Sequence, residues 1–164
     1  MLSLGLRADD IAAGYLQETF IPLAHPCHTF AQKLLDFWKD RPADGIIVGR
    51  DIPSRKIASL LSHITMWEPV AGGRDYQMRY MGETLRARYS GYVVGKLMSE
   101  LLSPDLFAYQ LDSFMQLASD DTAEVLDIAQ SHNGCNYLHY EVVAFPVLPA
   151  NAQGRWAVAG TFYF

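Results

Sequence analysis

The sequence is poor in the features that assign a protein to a functional class. It holds two cysteines, Cys27 and Cys135, far apart in a chain of 164 residues. One pair makes no disulfide framework, so two free, buried thiols in a reducing compartment are expected. No stretch approaches the ~20 apolar residues of a membrane-spanning helix. The opening residues Met1 to Asp10 lack a basic start and an apolar run of signal-peptide length. A soluble cytoplasmic protein with no membrane partner is therefore expected. Basic residues do not gather either: 13 Lys and Arg against 18 Asp and Glu leave a net charge of −5. Arg74, Arg79, Arg86 and Arg88 come nearest to a cluster, and aromatic residues break it up. Nucleic-acid surfaces usually concentrate positive charge, so no nucleic-acid partner is expected. Internal repeats and low-complexity segments are also missing.

Apolar residues, by contrast, make up 50% of the chain, enough for a core without staples. The length fits one domain. An N-terminal helical arm over residues 1–42 is expected to precede a domain over 43–164. In the arm, Asp9 and Asp10 can cap a short helix carrying Ile11, Tyr15 and Leu16. Pro22 and Pro26 then interrupt the chain. Thr29 and Gln32 have capping-box spacing. They open a helix with Phe30, Leu34, Phe37 and Trp38 on one face, and Lys33, Asp36, Lys39 and Asp40 on the other.

Ser54 is a plausible cap for a short helix with Ile57, Leu60 and Leu61 inward. Ile64 to Val70 reads as a strand, Ala71 to Asp75 as a hairpin turn, and Tyr76 to Met81 as the return strand. Its alternation places Tyr76, Met78 and Tyr80 on one face. From Gly82 to Leu102 the period is helical and irregular, punctuated by Gly91 and Gly95. Ser103 and Pro104 start a longer helix with Phe107, Leu111, Phe114, Met115 and Ala118. Three strands follow: Ala123 to Gln130, Tyr137 to Leu148 and Arg155 to Phe164. Asn133-Gly134 is the turn between the first two. Two strands, small helices and three more strands form an α+β pattern.

From Leu34 to Phe164 this order resembles a PAS domain, and more narrowly a family of short stand-alone bacterial PAS-like proteins. The resemblance rests on Phe37-Trp38, on Asp51-Ile52-Pro53 before Leu60-Leu61-Ser62-His63-Ile64, and on Tyr76 to Glu83 with its Arg79-x-x-Gly82 turn. It continues through Tyr89-Ser90-Gly91 and Gly95 to Glu141–Val147 with Phe145-Pro146-Val147. It implies a five-stranded antiparallel sheet with helices on one side, plus the N-terminal amphipathic helices. It further implies a sensory or regulatory module that binds a small molecule or a partner protein and catalyses nothing. Flavin photosensors of this fold need a reactive Cys in the middle helices, and none stands between Cys27 and Cys135. Haem sensors usually present a His from the long helix, and residues 104–119 hold none. No cofactor is therefore expected.

Strand phase suggests where a ligand would sit. Residues in phase with Pro146, namely Leu138, Tyr140, Val142 and Ala144, are expected to face the interior. With them, Tyr80, Tyr89, Trp156 and Phe162 are expected to line a pocket for a small apolar or aromatic ligand; the same rings equally suit a filled core. Val143, Phe145 and Val147 form an apolar outer face that needs a cover. The helix with Phe30, Leu34, Phe37 and Trp38 is the expected cover, or else a homodimer forms through that surface. Two further readings fit the same residues. One is an interaction scaffold with a closed core. The other is a small enzyme using His139, Glu141 and Asp127 for acid–base chemistry, although phase turns His139 and Glu141 away from the pocket. His25, Cys27 and His28 are of zinc-ligating types, but their spacing fits no closed four-ligand site, and no metal is expected.

Overall fold

The computed structural model describes residues 16–88, 91–132, 135–150 and 154–164. The expected helix over residues 9–16 therefore lies outside the described residues, except for Leu16. So do Tyr89, Ser90, the Asn133-Gly134 turn and the side chains of His132 and Cys135.

The architecture is α+β. Six antiparallel strands form one open sheet: β1 (Leu16–Pro22), β2 (Ile64–Val70), β3 (Asp75–Met81), β4 (Glu124–His132), β5 (Cys135–Val147) and β6 (Trp156–Tyr163). Their spatial order is β1-β4-β5-β6-β2-β3. The helices are α1 (Thr29–Lys39), a 3-10 segment (Arg55–His63), the single turns α2 (Glu83–Arg86) and α3 (Met98–Leu101), and α4 (Pro104–Asp120).

The sheet has one strand more than the five expected. The extra strand is β1, which pairs along β4 from Leu16↔His132 to Pro22↔Leu126. Its run is short, and its partner lies far along the chain, so local pattern does not reveal it. Residues before 43 thus supply an edge strand and a covering helix to the same sheet.

Both faces of the sheet are covered. Strand β5 explains why, because its residues are apolar on both sides. Tyr140, Val142 and Ala144 pack with Leu106, Phe114 and Leu117 of α4. Val143, Phe145 and Val147 pack with Ala31, Leu34 and Leu35 of α1. A strand buried on both faces reads as a continuous apolar run. Fully burying one such side chain contributes about 1.5–3 kcal/mol, so each layer is held by several of these terms.

Local capping matches the sequence in part. Ser54 accepts the Lys56 N–H at 3.2 Å, and Ser103 caps α4 with Pro104 at its first turn. Helix α1 differs from expectation. Its N-cap is His28, whose Nδ1 accepts the Phe30 N–H at 3.1 Å. Gln32 turns along the helix and donates to Asp36 instead. The inward stripe of α4 also differs, consisting of Leu106, Gln110, Phe114 and Leu117. Met115 is exposed, while Phe107 and Leu111 pack at the edge.

Candidate functional site beneath helix α4

Gln110 interrupts the apolar stripe of α4. Leu106 and Phe114 lie one turn to either side, so the helix drives the amide into the space over the sheet. There it meets Thr65 and Trp67 of β2, Ala159 and Thr161 of β6, and Met98, Leu102 and Phe114. Two hydroxyl bonds already tie the floor together. The Trp67 indole N–H donates to Thr65 Oγ1 at 3.1 Å, and the Thr65 hydroxyl donates to the Ala159 carbonyl at 3.2 Å.

Gln110 joins neither bond. Its side chain is 2% exposed, and neither the amide nitrogen nor the amide oxygen has a hydrogen-bond partner. A buried amide left unpaired costs about 1–3 kcal/mol per group. The void beside it measures about 10 Å³, near the ~10–15 Å³ minimum for a single water. A larger guest must therefore lift α4 from the sheet. Such a guest would satisfy the site by offering both a donor and an acceptor.

The five rings expected to line one pocket are not brought together. Tyr140 lies on the α4 face. Trp156, Phe162 and Tyr80 lie on the α1 face, and Tyr89 is outside the described residues. The register of β5 with β6 gives the reason: Tyr140 stands opposite Tyr163, Val142 opposite Thr161 and Ala144 opposite Ala159. Cross-strand partners share a face, so the inner residues of β6 are Ala157, Ala159, Thr161 and Tyr163. Tyr80 changes sides for another reason. A bulge pairs Met66 with Tyr80 but its neighbour Trp67 with Met78. The surplus residue in β3 breaks the alternation from Tyr76 and Met78.

The residues proposed for acid–base chemistry lie on the α1 face. His139 Nε2 is 2.5 Å from Asp127 Oδ1, and its ring stacks on Phe164 at 4.4 Å. Glu141 stands opposite Asp127 in the ladder, yet it is only 1% exposed. Its oxygens accept the backbone N–H groups of Cys27 and His28 at 2.8 and 2.9 Å. That carboxylate is engaged in anchoring the entry to α1.

Around it the His28 ring stacks on Phe162 at 5.5 Å, and Phe162 also meets His63 at 5.5 Å. Burial, with His28 nearby, holds the His63 imidazole below its usual range, and a hydrogen bond that the ring donates to the Thr161 backbone offsets this in part. Cys27 is exposed. Among the described residues, no three His, Cys, Asp or Glu side chains are grouped to hold a metal ion.

The expected cover residues all belong to α1. Leu34 is fully buried, Phe37 and Trp38 pack against the same layer, and Phe30 sits at its exposed rim. Trp38 meets Phe145 at a ring separation of 6.5 Å, and its outer face carries the Arg41 guanidinium at 3.7 Å. A cleft of about 340 Å³ runs beside α1, with Lys33, Asp36, Asp40 and Arg50 among its walls. Charges of both signs alternate there, and Arg50 is already bound by Asp44 and Asp51.

No protein-family model, no curated protein and no solved structure matches the chain. Among the described residues, no helix is long and apolar enough to cross a membrane. Sequence reasoning missed Gln110, and the available signal was its place four residues from both Leu106 and Phe114.

Proposed function

We propose that the protein is a PAS-like sensory module that receives a small polar molecule at Gln110 and catalyses no reaction. One observation carries this reading: a buried amide with both polar atoms unpaired, facing a void between α4 and the sheet. The element order supports it, since β2–β3, the short helices and then β4–β6 follow the pattern of that fold. The guest is a compound with adjacent donor and acceptor, such as a small amide or lactam. Binding shifts α4 relative to the sheet, because the void is too small to admit such a guest at rest. A ligand moves the equilibrium only by its difference in affinity for the two arrangements.

Small amides and lactams, beginning with acetamide and 2-pyrrolidone, test this by thermal shift and by NMR titration of the Met98 and Leu102 methyl groups. Saturable shifts in the native protein, lost in Gln110→Leu, are expected. Gln110→Leu alone is expected to raise the melting temperature, since it removes two unpaired polar atoms. Equal binding by Gln110→Leu, or no binding by any compound, would overturn the proposal.

The void's small volume favours a second reading, an interaction module with a closed core. It predicts that Gln110→Leu stabilises the protein and leaves every partner contact intact.

A further inference from the structure

The geometry points to a second binding site on the opposite side of the sheet, for a small neutral ligand that carries a ring. An apolar cleft of about 270 Å³ lies there, walled chiefly by Val48, Ile52, Pro53, Ile64, Met66 and Tyr80. It is separate from the space under α4 and shares none of its residues.

Three observations set the chemistry of the guest. First, the walls are held in place. The Val48 N–H donates to Leu148 O and the Gly49 N–H to Ile52 O, each at 2.8 Å. Asp51 accepts the Ile47 N–H at 2.8 Å and also binds Arg50, which reaches Asp44. The loop over residues 46–53 is thereby braced from both ends, so the cleft is formed before a guest arrives.

Second, the nearby polar groups are already used. The Tyr80 hydroxyl donates to Leu61 O at 2.9 Å, and the loop amides are bonded as described. These walls carry no charged side chain, and the Tyr80 hydroxyl proton is already taken. Burying a charge without a partner is costly, so an ionised ligand is rejected.

Third, the bulge in the β2–β3 ladder turns Tyr80 to this side. Without it, Tyr80 would follow Tyr76 and Met78 into the layer under α4. Bulges commonly re-aim a side chain beside a site. Here the result is a tyrosine ring near the Met66 thioether, and both surfaces favour contact with an aromatic guest. An enclosed apolar cavity of about 150 Å³ takes up benzene, so the volume here sets the ligand at the scale of one ring.

The test is a titration of the whole chain with toluene, read by NMR at the Met66, Ile52 and Ile64 methyl groups, with benzoate as the charged comparison. Saturable shifts with toluene, and at least tenfold weaker ones with benzoate, are expected. Val48→Phe fills the cleft from its rim and is expected to weaken the response at least tenfold. Met66→Gln places a polar group in the wall, keeps the volume, and is expected to weaken it as well. Gln110→Leu is expected to leave the response unchanged, which separates this site from the one beneath α4. Benzoate binding as tightly as toluene, shifts at Met98 and Leu102 instead, or an unchanged response in both cleft variants would overturn the assignment.

Discussion

Glu141 holds the start of helix α1: its Oε2 accepts the backbone N–H of His28 at 2.9 Å, while Oε1 accepts that of Cys27 at 2.8 Å. A strand residue thereby secures the loop that leads into the helix covering its own sheet. Replacing Glu141 with Gln leaves one oxygen for two donors. A fully buried unpaired donor costs about 1–3 kcal/mol; these donors are partly buried, so chemical denaturation is expected to show a loss towards the lower end of that range. An unchanged midpoint and slope would mean that the carboxylate does not anchor the loop.

His63 gives the protein a directional response to pH. Burial and the neighbouring His28 depress its imidazole, against a smaller opposing effect from the Thr161 backbone, and its Nδ1 is buried without a partner. Because the folded value is depressed, the unfolded chain takes up the proton first as pH falls. The stability contributed by neutral His63 is complete above the ordinary histidine value near 6.5 and is lost as pH falls below it through the folded value. Melting temperature measured across that window is expected to drop in the native protein and to drop less in His63→Leu. Equal slopes for the two would refute this.

Gly160 lies where α1 comes closest to the sheet. A Cβ there would overlap Leu34 Cδ2 and stand 2.9 Å from the Phe162 ring. Overpacking of this kind typically costs about 1–3 kcal/mol. Gly160→Ala is expected to lower stability by that amount, and to cost less when Leu34 is already replaced by Ala. Two strictly additive losses would place the strain elsewhere.

Trp38 and Phe145 bring α1 and β5 into ring contact. Phe145→Ala should cost about 3–5 kcal/mol, since the ring is fully buried. Residues in contact couple by about 0.5–3 kcal/mol, so a double-mutant cycle between Trp38→Ala and Phe145→Ala is expected to be non-additive. Additivity would show that the helix is seated by other contacts.

Much of the fold was legible from short-range chemistry. Ser54 and Ser103 cap their helices, the hairpin of β2 and β3 turns through Gly72 and Gly73 at positive φ, and the two-sided apolar pattern of β5 predicted a cover on each face. The misses share a physical cause, because they depend on partners that sequence spacing does not reveal. The phase of β6 is fixed by Tyr140↔Tyr163 pairing, and Tyr80 is turned by a single surplus residue. Strand β1 exists only because β4 receives it. His28, rather than Thr29, caps α1. Gln110 is not visible in the periodicity because a polar residue within an apolar stripe interrupts the very pattern that locates the inward face.

The placement of β1 also bears on the order in which the protein assembles. Thr19 meets Ala129 across 110 residues of chain, and Leu34 and Leu35 share much of their buried surroundings with Val143, Phe145 and Val158. Non-local pairing of this kind slows folding. On the ribosome the amino-terminal portion emerges first and is housed last. Until β4 to β6 have been made, the apolar side of α1 has no sheet to lie on, which makes that interval the one in which the growing chain most needs protection from association.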